Sequence, residues 1–317
     1  MNVYGENNKS NVTFTNDQAD AVDDLISFIA APWSDTDYVH ALCGAGGTGK
    51  TFVTKYVIQN CKFSSSVIAC AAPTHKACRV FSNAIGGKSV DTIQSMFGFR
   101  LDVDIEDFDP EKPAFNPIGN IKILDKEIRV LIIDESSMLN GKLVNYINKL
   151  CKKHHIKIIY IGDASQLPPV NEKVSRAFTI ATRVNYLNET VRQGDNNPIS
   201  NLLDILRNDI SRGRYDMLNY IANPKNKSQY NERGCGYTVC SPQEFDYHIE
   251  QAFTNEEYTK NVDMYKIIAY TNARVTQWNN YVRKSIIKGA DKNIITKNDL
   301  ITVSYTHLRA HETSQDL

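Results

Sequence analysis

Eight consecutive residues carry the sharpest chemistry in the chain: Gly44, Ala45, Gly46, Gly47, Thr48, Gly49, Lys50 and Thr51. They fit the spacing G-x-x-x-x-G-K-[ST]. Glycines let a backbone turn its N–H groups inward onto phosphate oxygens. A helix starting at that point adds the positive end of its dipole. Lys50 then supplies a point charge for the outer phosphates, and Thr51 offers a hydroxyl to Mg2+. The competing reading is a chance glycine-rich turn. An apolar run before the motif and helical text after it favour the phosphate cradle.

A second constellation is Leu131-Ile132-Ile133-Asp134-Glu135, an apolar strand ending in two carboxylates. A parallel strand delivers such residues to the sheet edge where ligands bind. Asp134 can hold Mg2+ through water, and Glu135 can polarise an attacking water. Gln166, in Ile161–Val170, could sense a terminal phosphate or orient that water; it could equally be a surface side chain on a Pro-stiffened turn. Gln18 opens the first helix, where it could read a base edge with its amide. It also completes the capping box of Thr15.

The elements that must position these residues are legible as periodicity. Ala21, Val22, Leu25, Ile26 and Ile29 predict a helix over 15–30. Unbroken apolar runs predict strands over 38–43, 67–72, 130–133 and 156–161, with helices over 50–59, 75–84 and 141–152 between them. Strands that are apolar on both sides and alternate with helices argue for a parallel sheet covered on both faces, an α/β fold. The acidic, Pro-containing stretch 98–120 interrupts this pattern and reads as a small insertion. After residue 197 a second unit begins, with helices over 199–207 and 273–288 and a strand over 266–271; the stretch 213–256 carries no clear pattern.

Composition bounds the rest. At 317 residues the chain suggests about two domains. Lys+Arg and Asp+Glu both number 36, so a nucleic-acid partner would need a local basic groove inside a neutral total. Seven scattered cysteines with no C-x-x-C pair point to free thiols in a reducing, cytoplasmic setting, and no zinc site is completed. The polar arm 1–12 is no signal peptide, and no run nears the ~18 apolar residues of a membrane span.

Eight ordered segments resemble one family: the Gln18 region, GAGGTGKT at 44–51, AAPTHKA at 71–77, VDTIQSMF at 90–97, IIDESSML at 132–139, GDASQLPPV at 162–170, LNETVRQ at 187–193 and AYTNARV at 269–275. Over residues 13 to about 287 the chain resembles the Dda- and RecD-type DNA helicases of superfamily one. The resemblance implies a P-loop NTPase with a RecA-like first domain (13–197) and part of a second (198–302). It implies ATP and Mg2+ as cofactors, single-stranded DNA as partner with 5′-to-3′ movement, replication or recombination proteins as further partners, and a monomer with no membrane attachment.

Residue by residue, Lys50 and Thr51 match the phosphate and Mg2+ ligands, Asp134 the Mg2+ acid, Glu135 the catalytic base, and Gln166 the γ-phosphate residue. Arg192 matches an arginine that closes on that phosphate, as a guanidinium suits. Gln18 matches an adenine reader. Thr74, His75, Thr92, Thr271 and Asn272 match positions that touch DNA. Gln94 stands where the family usually has His, and the insertion stands where the family has a strand-separating pin, with Phe99, Phe108 and Phe115 as available aromatics. The closing stretch 303–317 resembles a translated sequencing adapter, with an ordinary polar tail as the other reading. A nucleotide- and DNA-binding fragment without unwinding activity is the alternative function.

Overall fold

The computed structural model describes residues 13–100, 108–124, 128–169, 172–189, 197–261 and 264–286. The chain divides into two compact units, Met1–Asp195 and Asn196–Leu317, each considered by itself. The adapter-like stretch 303–317 lies outside the described residues.

Unit one is a six-stranded, all-parallel sheet with helices on both faces. Its strands are β1 (Val39–Gly44), β2 (Ile68–Ala72), β3 (Asp91–Thr92), β4 (Val130–Ile133), β5 (Lys157–Gly162) and β6 (Arg183–Leu187), in the order β3-β2-β4-β5-β1-β6. The helices are α1 (Asn16–Ala30), α2 (Lys50–Asn60), α3 (His75–Ala84), α4 (Ile93–Phe97), α5 (Gly141–Lys153) and α6 (Arg176–Thr179). The predicted strands and helices form within a residue or two of their expected ends.

The strands read as continuous apolar runs because each face has its own core. Leu131, Ile133, Ile158 and Tyr160 join the core under α5. Val130, Ile132, Ile159 and Ile161 face the opposite core with α1 and α2. Lys157 anchors one corner: its buried ammonium donates to the carbonyls of Phe28 and Ala31 at the end of α1, where a positive charge suits the helix dipole.

The insertion packs rather than projects its aromatics. Phe99, Phe108 and Phe115 are all buried, ring against ring with one another and with Tyr146 of α5. None of the three is therefore left as a wedge, because burying aromatic area outweighs leaving it in water. The insertion instead exposes Ile118, at 73%. Its return closes on Gly98, whose carbonyl accepts the N–H of Ile118 at 2.9 Å. Gly98 sits at φ 71, and a Cβ there would lie 2.8 Å from the Gly119 carbonyl oxygen, so the position needs glycine.

Unit two contains α7 (Pro198–Arg212), α8 (Asp216–Ala222), an antiparallel hairpin of β7 (Ser228–Tyr230) and β8 (Gly236–Thr238), α9 (Pro242–Phe253), α10 (Glu256–Lys260) and α11 (Asn272–Ile286). Buried Asp209 turns the α7–α8 corner by accepting the N–H groups of Asp216 and Met217 at 2.9 and 2.8 Å. The strand expected over 266–271 does not form. Ile268 and Tyr270 are 93% and 98% exposed, and an apolar run becomes a strand only where a neighbour satisfies its backbone. Among the described residues no parallel strand pair lies in unit two. Among them, too, no helix is long and apolar enough to cross a membrane.

Candidate phosphate and metal site at the sheet edge

β1 runs directly into the glycine loop, and α2 begins at Lys50. Gly49 caps α2 at φ 89, and Gly47 sits at φ 87, both in the left-handed region. A Cβ on Gly49 would meet the Gln18 amide at 2.5 Å; one on Gly44 would meet the Thr48 hydroxyl at 2.6 Å and the Leu187 carbonyl at 2.9 Å. Both positions therefore admit only glycine. Around Gly46 there is open space. The Thr48 hydroxyl donates to the Ala45 carbonyl at 2.9 Å, which rigidifies the loop. Thr51 follows in the first turn of α2, half-buried.

Lys50 is held beside the loop, its ammonium donating to the carbonyls of Gly44 at 2.6 Å and Ala45 at 3.0 Å. Burial pushes its pKa down, while the carboxylates of Asp163, Asp134 and Glu135 act in the opposite sense. A half-buried ammonium facing three acids is a site built for a polyanion and its counter-cation.

Asp134 leaves the end of β4, its N–H bonded to the Ala71 carbonyl at 3.0 Å. Burial pushes its carboxyl up to about 6; the Glu135 backbone N–H and the Lys50 charge oppose the rise, and the Glu135 carboxylate adds to it. A desolvated carboxylate of this kind gains from a hard cation, so Asp134 and the Thr51 hydroxyl fit Mg2+. Among the described residues no cluster of three or more His, Cys, Asp or Glu forms a cage. Mg2+ held by one or two protein oxygens plus phosphate needs none. Glu135 adopts the left-handed conformation at φ 53, a strained backbone for a non-glycine residue.

Gln166 belongs to the same edge. Its Oε1 accepts from the Ser137 hydroxyl at 3.4 Å, which ties the loop after β5 to the one after β4. Asp163 is the residue that sequence reasoning missed. It is 7% exposed, follows Gly162, which pairs with Cys43, and accepts the Ser165 N–H at 2.9 Å. The signal for it is an acid at the end of a buried strand that neighbours β1.

Gln18 is buried and completes the capping box, its Oε1 accepting the Thr15 N–H at 3.2 Å. Its Nε2 also donates to the Thr48 carbonyl at 3.0 Å, so the residue braces the phosphate loop. Thr74 caps α3 and, with His75, is exposed at the same sheet edge. Thr92 caps α4 and is buried, so its hydroxyl serves the helix. Thr271 lies in unit two, where its hydroxyl accepts the Arg274 N–H at 3.3 Å, and Asn272 is the first residue of α11. Arg192 lies outside the described residues.

A family model described as an AAA domain matches residues 13–222. An uncharacterized protein of Acanthamoeba polyphaga mimivirus is 26% identical, the match covering 87% of this chain and 57% of that one. The ATP-dependent DNA helicase dda of Enterobacteria phage T4 is 32% identical over 43% of this chain and 29% of its own length. Among solved structures, a Pif1 helicase from Bacteroides in complex with ADP-AlF3 and ssDNA is 20% identical with a TM-score of 0.46, covering 83% of this chain and 62% of that one. The chain thus spans less than two thirds of the relatives it matches. By the match over residues 13–222, the chain belongs to the AAA-domain family, with relatives among the superfamily one helicases of the Dda and RecD type.

Proposed function

We propose that the chain is motor sequence of an ATP-dependent DNA helicase, coupling ATP hydrolysis to 5′-to-3′ movement on single-stranded DNA. The observation that carries this reading is the meeting of Lys50, Asp134 and Glu135 at one sheet edge, beside a loop in which Gly44 and Gly49 admit no side chain. Residues 13–197 form the first motor domain in this reading, and 198–302 belong to a second.

The glycine loop binds the phosphates with its N–H groups, and Lys50 exchanges its loop carbonyls for phosphate oxygens. Thr51 and Asp134 would hold Mg2+, which would supply positive charge against the phosphates. Glu135 takes a proton from the attacking water, and Gln166 orients that water. Arg192 supplies positive charge to the same phosphate. Gln18 offers adenine its second amide hydrogen. Thr74, His75, Thr271 and Asn272 contact the DNA strand.

The test is titration of a fluorescent ATP analogue with Mg2+ into wild type and Lys50→Ala. The substitution should weaken binding at least tenfold; equal affinity in the two proteins would remove the assignment.

A further inference from the structure

The first turn of α1 touches two parts of the phosphate site at once. Gln18 donates to the Thr48 carbonyl of the glycine loop. Its neighbour Asp17 reaches instead to the end of β6. Its Oδ2 accepts the backbone N–H of Asn188 at 2.6 Å and of Glu189 at 3.1 Å, and its Oδ1 accepts the Thr15 hydroxyl. Asn188 and Glu189 are the first two residues past β6. Leu187, the last residue of that strand, carries the carbonyl that closes on Gly44. Three backbones therefore meet around one carboxylate and one amide: the glycine loop, the exit of β6 and the start of α1.

An acid in the first turn of a helix ordinarily serves its own helix dipole. Asp17 gives its carboxylate to two amides of a strand end far away in sequence. Such bonds to a charged acceptor are about twice as strong as neutral ones. Burial alone would push the Asp17 carboxyl up, yet the Thr15 hydroxyl and the Glu189 and Asn188 amides hold it below its usual range.

We propose that Asp17 is a positioning residue of the nucleotide site, an inference that rests on the reading above. It locks the exit of β6 to the turn whose next residue holds the phosphate loop. The loop and the chain beyond β6 thereby share one anchor.

The experiment compares Asp17→Ala, Asp17→Glu and Ile26→Ala in the full chain, at a temperature where circular dichroism finds each folded. The fluorescent ATP analogue is titrated and amide exchange is followed at residues 188 and 189. Asp17→Ala should bind the analogue five- to tenfold more weakly, with faster exchange at both amides, and Asp17→Glu should recover most of the affinity. Ile26→Ala, which trims the packed side of α1 without touching Asp17 or Gln18, should lower the melting temperature but bind within twofold of wild type. If Asp17→Ala fails to fold, Asp17→Asn, which keeps one acceptor oxygen, should still lose two- to fivefold. Affinity within twofold of wild type in Asp17→Ala, or in Asp17→Asn where Asp17→Ala fails to fold, would overturn the proposal. So would an equal loss in Ile26→Ala, which would mean that loosening α1 is enough. A Lys50→Ala variant binding as tightly as wild type would instead remove the nucleotide site itself.

Discussion

The Ser137 hydroxyl donates to Oε1 of Gln166 across 3.4 Å, so the loops after β4 and β5 are joined by side chains at the sheet edge. Ser137 is buried and Gln166 is not, which makes the serine the fixed partner. Ser137→Ala should free the Gln166 side chain without touching the phosphate loop. DNA-stimulated ATP hydrolysis should fall about tenfold, since small misplacements of an orienting group cost that much or more. Affinity for the ATP analogue should stay within twofold, and a matching loss of affinity would show that Gln166 acts in binding.

Glu135 holds a strained backbone immediately beside the metal-binding candidate. Glu135→Gln keeps the shape and removes the base, so ATP binding should persist while turnover drops by about 10²- to 10⁴-fold. A steady-state assay with single-stranded DNA checks this. Undiminished turnover would place the base elsewhere.

Asp134 gives the site a pH signature. Its pKa is raised to about 6 in the fold by burial, against 3.8 for the free side chain. The protonated, neutral form suits the interior, so its stabilising contribution is full below about pH 4 and is lost as pH rises through about 6. The loss amounts to about 3 kcal/mol. Asp134→Asn should therefore gain stability over wild type on going from pH 4 to pH 7.5, as read by urea unfolding without Mg2+. The affinity for Mg2+ with nucleotide should fall in wild type below pH 6, where the proton competes for the same oxygens. A gap between the two proteins that ignores pH would mean that the carboxylate is solvated.

Much of unit one is legible in the sequence because its signals are local. The glycine spacing at 44–51 fixes its own backbone, and Val130–Ile133 is apolar on both faces because helices cover both. What escapes a sequence reading depends on distant neighbours. Phe108 and Phe115 are simply available aromatics until Tyr146 of α5 gives them a core. Asp163 acquires its meaning from the register that sets Gly162 beside Cys43, which no local pattern encodes. Residues 266–271 have strand composition, but pairing is a property of two segments.

His75 offers the cleanest probe of the DNA path. It is exposed at the end of β2, beside exposed Lys76, on the edge where Lys50 and Asp134 also emerge. Thr74 is a poor probe. Its hydroxyl accepts the Ala77 N–H at 3.1 Å, so replacing it would fray α3 by about 1 kcal/mol whatever its role in binding. Thr92 has the same defect and is buried as well. His75→Ala leaves the cap intact and should weaken binding of a fluorescent oligonucleotide at least about fivefold, the lower end of the effect of removing a single stacking partner for a base. Lys76→Ala should act differently, through phosphate charge. It should lower affinity at low salt and flatten the slope of log affinity against log salt by about 0.7, the value for one phosphate neutralised on a single strand. Fluorescence anisotropy at several salt concentrations separates the two effects. Unchanged affinity and slope in both variants would move the strand off this edge, and crosslinks from a bound oligonucleotide would then map to another face.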